Sequence, residues 1–162
     1  MYQTYRLVPV SCRVLVLTAL RFTAVNATPT GSATAAADAR PCDIFAAGST
    51  PCVAAHSLVR ALFATFDGPL YRVKRASDNT TAMIGVDTPG GYADAAVQDR
   101  FCKGSDCIVD MIMDQTINEN HLLVGVGGDV ATGPGGRAAP DFGVNASRLP
   151  ITLQGHKVYG AY

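Results

Sequence analysis

The sequence predicts a mainly β protein, a β-sandwich with one or two short helices near its start. Three observations point there. Apolar runs are short and break at Gly, Pro, Asn or Asp, as strands joined by turns do. The run Cys107–Met113 (CIVDMIM) is apolar at every position except Asp110, which is the pattern of a central strand. Near the end, Ile151–Leu153 and Lys157–Tyr159 flank Gln154-Gly155, which reads as two strands joined by a turn. No internal repeat is present.

The elements follow in chain order. Residues 28–40 are small and polar and read as a flexible lead-in. Thr50-Pro51 reads as a helix start, with Thr50 as cap and Pro51 at the first helical position. Leu58, Ala61, Leu62 and Thr65 then share one helical face, and the helix ends before Asp67-Gly68-Pro69. Leu70–Val73 is a short strand. Met83–Val86 is another, after the polar turn Ser77-Asp78-Asn79. Ala93–Phe101 follows Gly90-Gly91 and is predicted as a short helix. Leu122–Val126 forms a further strand, and residues 127–140 form a long glycine-rich loop without periodicity.

At 162 residues the chain holds one domain at most. Residues 1–27 read as a signal peptide. Arg6 opens a positive region, Val14–Leu20 is the apolar stretch, and Val25 and Ala27 suit a signal peptidase. Arg13 interrupts the apolar run, which is too short to span a bilayer, since spanning takes ~20 apolar residues. The expected product is therefore extracellular, without a membrane partner once the leader is removed. Removing residues 1–27 takes Arg6, Arg13 and Arg21 and no acid. The basic count falls from 13 to 10 against 13 acids, which leaves a mildly acidic chain. No basic stripe is present, which argues against nucleic acid as a partner. Cys12 leaves with the leader. Cys42, Cys52, Cys102 and Cys107 remain, an even number at close spacing, which reads as short disulfide loops in an exported protein.

Few residues carry a chemical signature. A pair of carboxyl groups held close together is one such signature, since it can supply nucleophile and acid/base. Glu119 is the single glutamate among twelve aspartates. Asp110 and Asp114 flank the end of the central strand and are spaced to share a face; the plainer reading is one aspartate at the core edge and one turn former. His56, His121 and His156 lack zinc-ligand spacing, and no Cys-x-x-Cys is present. His56 is expected as a structural helix histidine; adjacent to Ser57, it cannot form a triad with it on a helix. Gly125-x-Gly127-Gly128 fails both nucleotide fingerprints, since Val130 follows and no Gly-Lys-Ser/Thr does. Asn79-Thr80-Thr81 and Asn145-Ala146-Ser147 are glycosylation sequons in predicted polar turns, whereas the sequon at Asn26 leaves with the leader.

Several short words are more specific than any of these features. PCDI (from Pro41), TPCVAAHS (from Thr50), RAL (from Arg60), GPLYRVKR (from Gly68), the GG-ADAA-QD-FC series up to Cys102, DQ at Asp114-Gln115 and PITLQGHKVYG (from Pro150) fall in a fixed order and spacing. They resemble the N-terminal part of the catalytic domain of glycoside hydrolase family 54, the fungal-type α-L-arabinofuranosidases, over residues 41–162. The resemblance implies a concanavalin-like β-sandwich of jelly-roll type, here partial. It also implies retaining hydrolysis of terminal arabinofuranosyl residues, with arabinose-containing plant polysaccharide (arabinoxylan or arabinan) as partner. It implies no metal or organic cofactor, and the pairings Cys42–Cys52 and Cys102–Cys107.

The family's nucleophile and acid/base lie C-terminal to the matched region, so no residue here inherits a catalytic role, Glu119 included. The fragment alone is expected to be inactive. The main departure lies at Asp114–Leu122, where Ile117 and Glu119 replace expected glycines. If those positions need φ > 0, β-branched Ile117 is strained. The alternative is a non-catalytic, lectin-like carbohydrate-binding sandwich or a non-functional remnant. The absence of Trp and the 7% aromatic content weaken a sugar-stacking platform.

Overall fold

The computed structural model describes residues 38–125 and 142–161. The predicted signal peptide (1–27), most of the lead-in (28–40) and the glycine-rich loop (127–140) lie outside the described residues. Where described, the chain is mainly β. A five-stranded antiparallel sheet holds β1 (Pro69–Arg75), β2 (Thr81–Gly85), β3 (Cys107–Ile112), β4 (Leu122–Leu123) and β5 (Val144–Asn145). A hairpin of β6 (Leu149–Leu153) and β7 (His156–Gly160) forms a second, two-stranded sheet. Two short helices, α1 (Pro41–Ala47) and α2 (Ala95–Phe101), accompany them among the described residues.

The strand β3 is central: β1 pairs along one edge, and β4 and β5 share the other end to end. Apolar residues lie on both of its faces, and a bulge decides which residue lies on which. The β1–β3 register shifts between Arg72↔Met111 and Val73↔Val109, so Asp110 is the extra residue of a bulge. The bulge reverses the alternation. Cys107 and Val109 face the core before it and Ile112 after it, while Ile108, Asp110 and Met111 lie on the outer face and stay half-buried. A second bulge, at Leu70 between Pro69↔Gly85 and Tyr71↔Ile84, lets Leu70 and Tyr71 both reach the core.

The core is built from Leu70, Tyr71, Val73 and Ile84 of the sheet, Tyr92 and Ala93 before α2, and Val158 of β7. Within it, the Tyr71 hydroxyl donates to Gln98 Oε1 (2.6 Å), and Gln98 Nε2 donates to the Ala146 carbonyl (2.7 Å). Gln98 is fully buried, so this relay satisfies polar groups that would otherwise be costly. Burial, reinforced by the nearby Tyr159, Asp99 and Asp94, pushes the Tyr71 phenol well above its ordinary range. The hairpin docks through α2 and the loop before it. Lys157 and Tyr159 both bond Asp99, and the Tyr92 hydroxyl donates to Gln154 Oε1 at 2.6 Å. Its turn is the predicted one: Gln154 (φ 50°) and Gly155 (φ 85°) are both left-handed, as a two-residue hairpin of type I′ requires.

The helix expected after Thr50-Pro51 is absent. Pro51 to Thr65 is irregular because its backbone is bound elsewhere. Ala55 N–H donates to Asp114, Leu62 N–H to Gln115, Ala64 N–H to Asp43 and Ala61 N–H to the Gly91 carbonyl. Those four donors are unavailable for a helical ladder. The helix lies one segment earlier, with Pro41 at its first position, and Thr50 instead closes its far end by donating N–H and Oγ1 to the Phe45 carbonyl. The helix expected over Ala93–Phe101 is α2; it starts two residues later because the Asp94 side chain caps it through Val97 N–H (3.0 Å).

Candidate functional site

Past β3 the chain enters a buried polar junction centred on Asp114, which is 6% exposed. Its Oδ1 accepts from Ala55 N–H (2.8 Å) and Thr116 N–H (2.9 Å), and Oδ2 from Thr116 Oγ1 (2.8 Å) and Asn120 N–H (3.0 Å). Burial pushes the carboxyl up, but these bonds to the charged form outweigh it and hold Asp114 at about 2. The neighbouring Gln115 accepts from Leu62 N–H at 2.7 Å, and Asn118 Nδ2 donates to the Val53 carbonyl at 2.8 Å. His56 lies off any helix, contrary to expectation, because the segment around it is pinned to this junction; its Nε2 meets the Asn120 carbonyl at 2.7 Å. His121 Nδ1 accepts from Asp114 N–H at 3.0 Å. Asp114, Gln115 and Asn118 together thus tie residues 53–62 to the chain after β3.

The two departures in that loop behave differently. Glu119 is left-handed (φ 53°), as a glycine position would be, whereas Ile117 is not among the positive-φ residues. Ile117 is 96% exposed instead. The expected strain at Ile117 is therefore corrected: the loop carries its backbone cost at Glu119.

The outer face of the sheet holds a second arrangement. The bulge brings Asp110 beside Arg72, and they form a two-pronged ion pair, Nε to Oδ1 at 2.9 Å and Nη2 to Oδ2 at 3.0 Å. The Asp110 bond holds the Arg72 guanidinium above its ordinary pKa. The pair forms part of the wall of a cleft of about 470 Å³, with Lys74, Leu123 and Phe142 among the other lining residues. Phe142 is 77% exposed.

Asp110 and Asp114 do not form a catalytic pair. One is neutralised by Arg72 on the outer face, and the other is consumed by loop hydrogen bonds. The third histidine, His156, stacks on Tyr92 (4.2 Å, 17°) and lies 3.2 Å from Asp87, away from the other two. Among the described residues no group of three His, Cys, Asp or Glu side chains is arranged to hold a metal. The cysteines pair as Cys42–Cys52 (Cα–Cα 5.5 Å) and Cys102–Cys107 (5.8 Å). The first ties α1 to an irregular segment, not to a helix start; the second ties the end of α2 to β3. Asn79 lies in the expected turn. Asn145 does not: it belongs to β5, paired with Ile108.

The organising roles of Gln98, Gln115 and Arg72 went unread in the sequence. A signal existed only for Arg72, as a basic residue between Tyr71 and Val73 in a strand that could neighbour the one charge of CIVDMIM.

Comparison with known proteins follows the same stretch of chain. A family model described as the catalytic region of α-L-arabinofuranosidase B matches residues 41–162. The probable α-L-arabinofuranosidase B of Aspergillus fumigatus is 46% identical over 129 residues, which is 76% of this chain and 24% of that protein. The α-L-arabinofuranosidase B of Emericella nidulans is 45% identical over 138 residues, 82% of this chain and 25% of that protein. The fold matches the crystal structure of an arabinofuranosidase complexed with arabinofuranosyl-α-1,2-xylobiose, with a TM-score of 0.71 and 47% identity over 75% of this chain and 25% of that one. A family 54 α-L-arabinofuranosidase soaked with a cyclic sulfate inhibitor gives 0.68 and 44% over the same shares. The chain spans about a quarter of the length of these relatives. With the family model covering everything from α1 through the final hairpin, the chain belongs to the α-L-arabinofuranosidase B catalytic-domain family of glycoside hydrolases.

Proposed function

We propose that this chain provides the first part of the scaffold of a secreted, retaining α-L-arabinofuranosidase that removes terminal arabinofuranosyl groups from arabinoxylan or arabinan. The observation that carries this reading is the family match over residues 41–162. Export is supported by the leader pattern in residues 1–27 and by two local disulfides, which persist in oxidising compartments. Within this chain Asp114 and Asp110 act as scaffold. Their hydrogen bonds are those of structural groups and favour neither as the attacking nor as the proton-donating carboxyl.

The test is hydrolysis of p-nitrophenyl α-L-arabinofuranoside by two proteins. The chain alone is expected to release no p-nitrophenol. A chimera in which residues 41–162 replace the matching quarter of the Emericella nidulans enzyme is expected to turn over. A folded chimera without activity refutes the reading, and so does turnover by the chain alone that vanishes in Asp110→Asn.

A non-catalytic carbohydrate-binding role has one observation in its favour. The cleft at Arg72–Asp110 combines paired charges with the exposed Phe142 ring, a combination suited to sugar hydroxyls and a sugar face. Saturable xylobiose binding by the chain, abolished in Phe142→Ala, would favour that role.

A further inference from the structure

The β1–β2 turn carries a feature the hydrolase reading does not use. Asn79-Thr80-Thr81 spans the turn and the first residue of β2, and all three residues are exposed. The turn is held rigidly on its inner side. Arg75 forms a two-pronged pair with Asp78, rests on the Phe101 ring (4.6 Å) and donates to the Phe101 carbonyl at 3.0 Å. Asp78 also accepts from Thr80 N–H and Thr80 Oγ1. Asn79 N–H donates to the Arg75 carbonyl at 2.9 Å, and the residue is left-handed (φ 58°), a conformation that asparagine tolerates better than most side chains. Backbone and neighbours are therefore bonded among themselves, and the Asn79 carboxamide accepts and donates none of the bonds that hold the turn.

The other described sequon is built differently. Asn145 Oδ1 already accepts from Ser147 N–H (3.0 Å), and Asn145 pairs with Ile108 of the central strand. The middle residue, Ala146, is 2% exposed; its N–H donates to the Cys107 carbonyl, and its own carbonyl accepts from buried Gln98. Asn145 and Ser147 are exposed, but the backbone between them is fixed in β5 and against the core, whereas the Asn79 sequon lies wholly in an exposed turn and strand end.

We propose that Asn79 is the N-glycosylated residue of this protein and that Asn145 is left bare. The inference rests on the export reading above, because the transfer takes place in the secretory compartment. In the reaction the Asn79 amide nitrogen attacks the anomeric carbon of a lipid-diphosphate-linked oligosaccharide. A C–N bond forms, the C–O bond to the diphosphate breaks, the lipid diphosphate leaves with the bonding pair, and the amide nitrogen gives up one proton to a base of the transferring enzyme. The product is a bulky hydrophilic group at the tip of the hairpin that contains the sheet-edge strand β2.

The experiment expresses the full chain in a glycosylating yeast, once with its own residues 1–27 and once with an established secretion leader in their place. Medium and microsomal membranes are digested with a peptide N-glycanase in heavy-oxygen water, which hydrolyses the glycosylated amide and marks each formerly glycosylated Asn as labelled Asp, and peptides are mapped by mass spectrometry. The expected result is label at Asn79 and none at Asn145. Thr81→Ala, which leaves Asn79 and its turn in place, removes the label and the glycan's mobility shift, and Thr81→Ser retains both. Protein carried by the established leader with Asn79 unlabelled overturns the proposal, and equal label at Asn145 overturns the distinction between the sites. Failure to enter the pathway only with the native residues 1–27 overturns the export reading, and the other fusion then decides whether Asn79 is modified.

Discussion

Asp114→Asn isolates one atom of the polar junction. The amide retains an acceptor for Ala55 N–H and Thr116 N–H but presents NH₂ where Oδ2 stood. Thr116 Oγ1 can rotate to accept from it; Asn120 N–H, 3.0 Å from Oδ2, cannot. The variant loses charge-assisted bonds and buries one unpaired N–H, a cost of about 2–3 kcal/mol. Linkage gives a second figure. The Asp114 carboxyl lies at about 2 in the folded chain against an ordinary value of 3.8, and a depression of that size corresponds to about 2 kcal/mol. The sign follows from the direction of the shift. A depressed carboxyl contributes stability that is complete above its unfolded pKa and is lost as pH falls through its folded value. The advantage of wild type over Asp114→Asn is therefore full at pH 7, about half by pH 3 and small near pH 2. Urea unfolding of both proteins at a series of pH values measures it, and at neutral pH the melting temperature of the variant should fall by roughly 5–10 °C. A variant within about 0.5 kcal/mol of wild type at pH 7, or a gap that stays constant from pH 5 to pH 3, would refute the junction as described.

Three further outcomes are expected. Glu119→Gly should stabilise the chain by about 0.5–1 kcal/mol, because φ 53° costs a non-glycine residue more than glycine loses in unfolded-state entropy; a lower urea midpoint would show that the Glu119 side chain contributes more than its backbone costs. Tyr71→Phe should lose about 1–2 kcal/mol by leaving the buried Gln98 carbonyl oxygen without its donor, with no change in the denaturant slope if the core is otherwise intact. Replacing Cys102 and Cys107 together by Ser should cost about 2 kcal/mol, the loop-closure value for so short a ring, and the two proteins should melt at the same temperature once a strong reductant has also opened Cys42–Cys52 in both.

Local patterns were legible where a residue's partners lie close in sequence. The β6–β7 hairpin follows from Gln154-Gly155 between two apolar runs, because a type I′ turn selects its residues within four positions. The same locality made α2, the strand Cys107–Ile112 and both disulfides readable, each loop closing within ten residues. The family words between Pro41 and Gly160 carried the identity of the fold, since their order and spacing survive where individual side chains differ.

Tertiary structure decided everything that depends on a distant partner. Leu58, Ala61 and Leu62 carry a helical period, yet three carboxylate or carboxamide oxygens, from Asp43, Gln115 and Asp114, take up backbone N–H groups in and around that stretch. Fixed external acceptors win over the ladder there because a short helix gains little by itself. The face on which each residue of CIVDMIM lies is fixed only by the bulge at Asp110, and nothing within seven residues of strand announces which one lacks a partner across the sheet. Asp110 and Asp114 are the same residue type four positions apart, and the sequence by itself allowed them to be a carboxylate pair. Arg72, brought alongside by strand pairing, claims one, and the backbone of residues 55, 116 and 120 claims the other. Composition and spacing determined what kind of chain this is; long-range hydrogen bonding determined which of its charged groups are structural, because burial and partner geometry exist only once segments some sixty residues apart have met.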